Sequence, residues 1–399
     1  MSFMIDVSEV MYVLSKFSDF VRKEKFTEYK NSLSVELLKA IIGSYNQKEP
    51  QIVKSIVGVF NGMPKNESIN EIQHNAIFIH ARRVKFDYYD NLQDNIQFNN
   101  SSKKTERELG DAIFILSICF NGKKYFEKFT ISQFKKDDQK QKNSRWVIDQ
   151  AQLYLLSRFP EFCGGKESIF PNNYNLSNEY GCLGSYNLLY KPGDFIYLTA
   201  PILEGVLGGQ KSIGIDKVMQ YGTQIDKIKI KKFYPFFLFP YCRCLMCFDE
   251  ECLNHLYHNF NVLGYNYYSA NVYEFIDNYL RGNIGELCYT PIGKYNESAA
   301  DFIYDLLENI KNSKDSNGSE IGKTFYNIFY KYPYVYSRGS KGNTDNKQGI
   351  KTSNRDADRG NGDNGKNGGG SYLDSNNEGE EGRGIGIIHT LININAREE

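Results

Sequence analysis

The sequence lacks a charge of either sign in excess. Its 48 basic and 48 acidic residues cancel, which excludes a polycation that wraps nucleic acid by bulk charge and leaves room for a local basic groove. It also lacks a long apolar run. The most apolar stretch, Phe233–Tyr241, is nine residues with two prolines, far short of the ~20 that a membrane-spanning helix requires. No secretory leader is legible, because Met1–Phe17 carries Asp6 and Glu9 where a leader has a basic start and an uncharged core. Cysteine is sparse, eight in 399 residues, too few for a disulfide scaffold, so the thiols are read as reduced. These absences predict a soluble, cytoplasmic protein with no membrane partner.

What is present is a globular composition with an uneven distribution. The length corresponds to roughly two to three domains, and 41% apolar residues suffice for a full core. Of the 34 glycines, thirteen fall in Ser337–Gly386 among Asn, Asp and Ser. Such a stretch cannot bury enough surface to offset its ordering entropy, so 337–384 is predicted as a flexible linker. It gives way to a β-rich run, Ile385–Asn395, expected to return to a sheet edge or to bind another chain.

Upstream, Val7, Val10, Met11, Leu14, Phe17, Phe20 and Val21 recur at helical spacing within Met4–Glu24, and Leu33–Tyr45 repeats the pattern. Residues 1–74 are therefore expected to be helical. Ala76–Phe86 reads as a strand, and Asn91–Thr105 as a loop or helix entry. Ala112–Cys119 is a very apolar strand, joined to a second strand, Tyr125–Lys135, by the hairpin signal Asn121-Gly122. Val147–Phe159 reads as a helix ending before Pro160. Beyond Gly164 the strand candidates are Asp194–Leu198, Ile225–Phe233 and Phe236–Leu245, and the helix candidates are Val272–Tyr279 and Ala299–Lys311. No internal repeat is visible.

Chemistry concentrates around the hairpin. Glu106-Arg-Glu-Leu-Gly-Asp111 leads into the first strand, and Ser132-Gln-Phe-Lys135 closes the second. Over roughly Ser101–Phe162 this resembles the PD-(D/E)xK nuclease superfamily, the restriction-endonuclease-like fold. There an acidic residue opens one strand, a Glu/Asp/Gln-x-Lys motif closes its antiparallel neighbour, and a helix packs on the sheet. Many members add a Glu from a helix just before the first strand, a place that Glu106 or Glu108 would fill. The resemblance implies Mg²⁺, with Mn²⁺ as a substitute, held by Asp111, Gln133 and Glu108, with Lys135 orienting the attacking water. The residue types suit that chemistry: a hard cation takes oxygen ligands and polarises a phosphoryl oxygen, and a lysine stabilises developing negative charge. Gln133 stands where a carboxylate is usual, which removes one negative charge from the site. The plain alternative is that Asp111 caps a loop and that Gln133 and Lys135 are solvated strand ends.

Register tests the idea. A strict two-residue turn pairs 120 with 123 and sets 111 opposite 132, with Gln133 on the wrong face. A shared face for Asp111, Gln133 and Lys135 requires a three-residue loop or one bulge, which Gly122 readily permits.

Around this motif, Lys123, Lys124, Lys128, Lys135, Lys136, Lys140, Lys142 and Arg145 form a local basic surface, read either as a phosphate-tracking groove or as edge-strand protection. Lys136, Lys140, Lys142, Arg145 and Gln152 are the candidate nucleic-acid contacts. Weaker signals follow. Cys242, Cys244, Cys247, Cys252, His255 and His258 are six ligands for a structural zinc, but their spacings match no paired-ligand pattern, and small buried cysteines on a strand explain them more simply. A Cys–His nucleophile drawn from the same stretch has no electropositive pocket to activate it. Gly181–Gly184 and Gly205–Gly209 lack a phosphate-loop ending and read as turns. His74, His80 and His389 read as structural, and Lys227–Lys232 as a strand with a basic face.

The sequence thus predicts an α/β protein. A restriction-endonuclease-like core (75–165) follows N-terminal helices (1–74) and precedes an α+β domain (166–336), the linker (337–384) and a terminal strand (385–399). The expected activity is hydrolysis of nucleic acid, DNA favoured over RNA, of the kind used in bacterial defence against phage or plasmids. A protein partner or oligomer through 166–336 or the terminal strand is a further expectation. The alternative is an inactive nuclease-like fold that binds nucleic acid or scaffolds a complex.

Overall fold

The computed structural model describes residues 7–62, 69–80, 85–90, 103–138, 143–164, 174–232, 263–291, 293–312, 318–335 and 384–395. Three helices lead: α1 (Val7–Phe20), α2 (Glu24–Ser44) and α3 (Glu49–Gly62). The predicted 33–45 helix is the second half of α2. Next come β1 (Ile72–His80), β2 (Lys85–Asp90), β3 (Lys103–Glu108), β4 (Ala112–Phe120), β5 (Lys123–Lys136) and β6 (Arg145–Val147). Then follow α4 (Gln150–Arg158), β7 (Phe162–Gly164), β8 (Gly184–Tyr190), β9 (Asp194–Thr199), α5 (Ala200–Leu207), β10 (Ser212–Gly214) and α6 (Ile215–Lys232). The last elements are β11 (Tyr268–Ser269), α7 (Val272–Leu280), β12 (Glu286–Thr290), β13 (Gly293–Lys294), α8 (Glu297–Lys311), α9 (Gly318–Phe329) and β14 (Gly384–Ile394).

The architecture is mixed α/β around a nine-stranded mixed sheet in the order β1-β14-β4-β5-β8-β9-β11, with β12 paired to β5 and β13 to β12. Strands from both 75–165 and 166–336 share this sheet. Alternating side chains divide its core in two. One face carries Ala112, Phe114, Leu116 and Phe134 against α1, α2, α3 and α7. The other carries Ile113, Ile115, Phe129 and Ile131 against α4, α5, α8 and α9. Two smaller sheets, β10-β6 and β3-β2-β7, lie outside it.

Three expectations change here. Residues 103–108 form strand β3, so Glu106 and Glu108 lie on a strand and not on a helix. Lys227–Lys232, and the start of the strand expected over Ile225–Phe233, continue helix α6. Apolar residues at 215, 218, 219, 225 and 228 keep helical spacing, which outweighs the local Lys-Ile alternation. The terminal run takes no edge: β14 lies between β1 and β4. Its Ile385, Ile387, Ile388, Leu391 and Ile392 are all buried and point to both faces, which only an interior strand can satisfy. Burying each contributes about 1.5–3 kcal/mol.

Helix α4 starts later than predicted because Asp149 caps it, accepting from the backbone N–H of Ala151 (2.9 Å) and Gln152 (3.1 Å). Val147 therefore ends β6, and Phe159, left-handed at φ 44°, stops the helix before Pro160. The Phe236–Leu245 strand, the 337–383 tract, Lys140, Lys142 and the Cys242–His258 cluster lie outside the described residues.

Candidate functional site

The site is built by one misfit in the hairpin. Asn121 (φ 48°) and Gly122 (φ 73°) form a two-residue turn, a conformation for which Asn-Gly is favoured. Phe120 pairs with Lys123 and Cys119 with Lys124, but Ile118 pairs with Phe126. Tyr125 is thus an extra residue in β5. The predicted bulge exists, though at Tyr125 and not at Gly122. From there Ala112 faces Ser132, and Asp111 falls opposite Gln133.

The side chains meet accordingly. The Asp111 carboxylate accepts a hydrogen bond from the Gln133 amide and one from the backbone N–H of Phe134 at 2.7 Å. Its own backbone is fixed on both sides: Asp111 N–H donates to Ser132 O (2.9 Å), and Gly386 N–H donates to Asp111 O (2.8 Å). Asp111 is 4% exposed and Gln133 6%. Lys135, on the same face, ion-pairs with Glu49 at 3.3 Å. Glu49 opens α3, and its second oxygen accepts the Lys136 N–H at 2.8 Å. Gln152 on α4 is buried and donates to the Glu108 carbonyl at 2.8 Å, tying the helix to the end of β3. Asp137 closes the strand, bonded by the Tyr45 hydroxyl and by Ser144 Oγ at 2.8 Å.

The electrostatics follow from this crowding of acids. Burial, aided by the negative charge of Glu49 and then of Glu108, pushes Asp111 up to about 8, against the opposing pull of Lys135 and the Phe134 N–H. Burial alone would lower Lys135, but Glu49, Asp111 and Asp149 outweigh it and its pKa is raised. Lys135 stays charged; Asp111 takes up protons near neutrality.

The other predicted residues are spread more widely. Arg145 is exposed and donates to Ser212 Oγ at 3.0 Å. Lys136 is partly exposed, donating to Gln47 O and lying over the Tyr45 ring. The side chain of Glu106 lies outside the described residues. Lys124 and Lys128 do not belong to any basic surface, because both are buried. Lys124 pairs with Glu127 at 3.1 Å with its ammonium 3.6 Å from the Phe329 ring centroid. Lys128 donates to Gly264 O at 2.7 Å and lies over Tyr265. His74 and His389 are structural, bonded to Thr390 Oγ1 (2.8 Å) and Ser117 Oγ (3.0 Å) respectively.

Sequence reasoning missed Glu49. Its one signal is that an acid followed by Pro50 suits a first helical turn, which places it on a helix but not beside Lys135. Asp111 feels the negative charges of Glu49 and Glu108 and is met by the amide nitrogen of Gln133; carboxylates are the donor chemistry that a hard divalent cation takes. Among the described residues, no three or more His, Cys, Asp or Glu side chains are already grouped closely enough to hold a metal ion, and no helix is long and apolar enough to cross a membrane. Compared with known proteins, the chain matches no family model, no curated protein and no solved structure.

Proposed function

We propose that the β4–β5 strand end is the active site of a metal-dependent nuclease, hydrolysing phosphodiester bonds in nucleic acid, with DNA the favoured substrate, on a restriction-endonuclease-like core. The observation that carries this reading is the Tyr125 bulge, which sets Asp111 opposite Gln133 and leaves Lys135 on their face. A strand pair without the bulge would separate them. Support also comes from Glu49, a carboxylate borne on a helix that precedes β1 and contacts Lys135. It takes the place expected of Glu106 or Glu108.

Asp111, Glu49 and the Gln133 amide oxygen, after rotation of that amide, would hold Mg²⁺ or Mn²⁺, with Glu108 as the further carboxylate. The bound cation would supply Lewis-acid polarisation of the phosphoryl oxygen and a more acidic water. The protein's own groups do the rest. Lys135, kept charged by Glu49, stabilises negative charge on the phosphate. Asp111 releases its proton when a positive charge offsets Glu49 and Glu108. Gln152 holds the Glu108 backbone, and the exposed Arg145 and partly exposed Lys136 would contact backbone phosphates.

One observation favours the second reading, an inactive nuclease-like protein that binds nucleic acid. Gln133 already satisfies the Asp111 carboxylate with its amide nitrogen, a neutral pairing that needs no cation. The test is incubation of the protein with plasmid DNA and with RNA, with and without Mg²⁺ or Mn²⁺, beside Asp111→Ala, Lys135→Ala and Glu49→Ala. Cleavage that needs metal and is lost in all three variants supports the nuclease. Equal binding with no cleavage in any metal assigns the second reading.

A further inference from the structure

Strand β14 is bonded along both edges. It pairs antiparallel with β1 from Ile72↔Ile392 to His80↔Gly384, and parallel with β4 from Gly386↔Ala112 to Ile394↔Phe120. The preceding described residue, Val335, donates to Lys124 O at 3.0 Å beside the β4–β5 turn, whereas Gly386 bonds to Asp111 at the opposite end of β4. The nine residues of β4 separate those ends by roughly 30 Å. About ten extended residues cross that distance, and the interval 336–383 holds several times as many.

The groove between β1 and β4 is selective for what fills it. At Gly386 a Cβ would come within 2.7 Å of Val57 Cγ2 and 3.1 Å of Val53 Cγ1, both on α3. At Gly384 it would come within 2.6 Å of the Phe78 ring and closer still to Ile79 O. No side chain fits at either position without displacement. Farther along, Thr390 Oγ1 meets His74 Nδ1 at 2.8 Å and accepts from the Tyr279 hydroxyl at 3.0 Å, and His389 meets Ser117 at 3.0 Å. Two small residues at one end and two polar ones in the middle, set among isoleucines, define the segment that the groove accepts.

We propose that this groove is a docking site for Gly384–Ile394 that holds the strand without needing the covalent connection through 336–383, and that the docked strand sets the candidate site. Gly386 supports both acids: its N–H fixes the Asp111 carbonyl, and α3, whose first turn carries Glu49, packs on its bare Cα. Loss of the strand exposes two sheet edges and frees both supports.

The experiment cuts the connection after folding. A protease recognition sequence placed between Gly369 and Gly370 of the full chain is cleaved in the native protein, which is then passed over a sizing column. The cut protein is expected to elute as a single species of monomer size with the 370–399 piece retained, and amide exchange at Asp111–Ile113 is expected to stay slow. The same cut in a Gly386→Val chain releases the piece at least tenfold faster and speeds that exchange. Should that variant fail to fold, a labelled 384–395 peptide is offered to the cut wild-type protein. It exchanges in, and the same peptide carrying Gly386→Val does not. Immediate loss of the piece from the cut wild type overturns the proposal, as do equal entry of the two peptides and an uncut protein that pairs through strands swapped between copies. None of these readouts involves cleavage of nucleic acid, so failure here is distinct from failure of the proposed nuclease activity.

Discussion

Replacing Asp111 with Asn leaves the shape of the site and removes its titration, which isolates the cost of burying that carboxylate. In the unfolded chain the group ionises near ~3.9; in the folded protein its pKa is about 8. Between these values the folded state holds a proton that the unfolded state has released. Stability contributed by this group is therefore complete below about pH 4 and falls as pH rises toward 8. The slope is about 1.4 kcal/mol per pH unit, so the wild type should lose roughly 3 kcal/mol relative to Asp111→Asn between pH 5 and pH 7. Asp111 is 4% exposed, so solvent screening takes little from that figure. Urea unfolding of both proteins at pH 5, 6, 7 and 8, in the presence of a chelator, measures the difference directly. Taking the difference cancels other groups, including buried Glu286, which is itself raised to about 7 mainly by burial. Adding Mg²⁺ should recover part of the loss in the wild type alone. Glu49→Gln should move the midpoint downward, because the charge of Glu49 is the largest contribution after burial. Parallel stability curves for wild type and Asp111→Asn would refute the reasoning, since they would mean that Asp111 ionises alike in both states.

Inserting one Gly after Phe126 with the single bulge kept sets Asp111 opposite Ser132 and should abolish nuclease activity, whereas deleting Tyr125 removes the bulge but keeps Ile118 with Phe126 and Asp111 opposite Gln133, so part of the activity should survive; plasmid cleavage reads both. Lys124→Met strands Glu127, which is 2% exposed, and should cost about 3–5 kcal/mol. The double variant with Glu127→Leu should cost less than the single, read as Tm by calorimetry. His74, lowered by burial to about 3, is neutral in the fold and charged in the unfolded chain below about 6.5. Stability should thus fall with acidification by about 1.4 kcal/mol per pH unit below that value. His74→Gln should flatten this limb in acid unfolding curves, and an unchanged limb would exclude the assignment.

What could be read from the sequence was what obeys a short period. The continuous apolar run over 112–119 and the Asn-Gly pair locate the hairpin, and the requirement of a common face for Asp111 and Gln133 demands an odd-length loop or a bulge. The bulge itself has no local marker: Tyr125 is an ordinary strand residue, so the sequence requires an odd-length loop or a bulge without saying that Tyr125 is the extra residue. Helix α4 is legible through its apolar spacing and Pro160, and it begins three residues later than that spacing predicts because Val147 and Ile148 continue the apolar pattern before the Asp149 cap.

The rest was hidden because it depends on contacts between residues far apart in the chain. A lysine on a strand is read as solvated, and for Lys123 that holds. Lys124 and Lys128 alternate in the same strand yet are buried, because Phe329, Tyr330 and Tyr334 surround one and Tyr265 covers the other. Glu127, Tyr334 and Ser117 then complete the pairing of Lys124 in the sheet. The same logic explains Glu49. A strand end exposes backbone groups that the sheet no longer satisfies, and the Lys136 N–H is one of them; the carboxylate that accepts it is supplied by a helix docked on the opposite face. Having been drawn there to satisfy a peptide, that carboxylate also holds Lys135 charged and reinforces the burial that keeps Asp111 protonated. The acid that completes the hydrogen bonding of the strand thus adds its charge to the burial that sets the protonation of the site, and neither role leaves a spacing in the sequence.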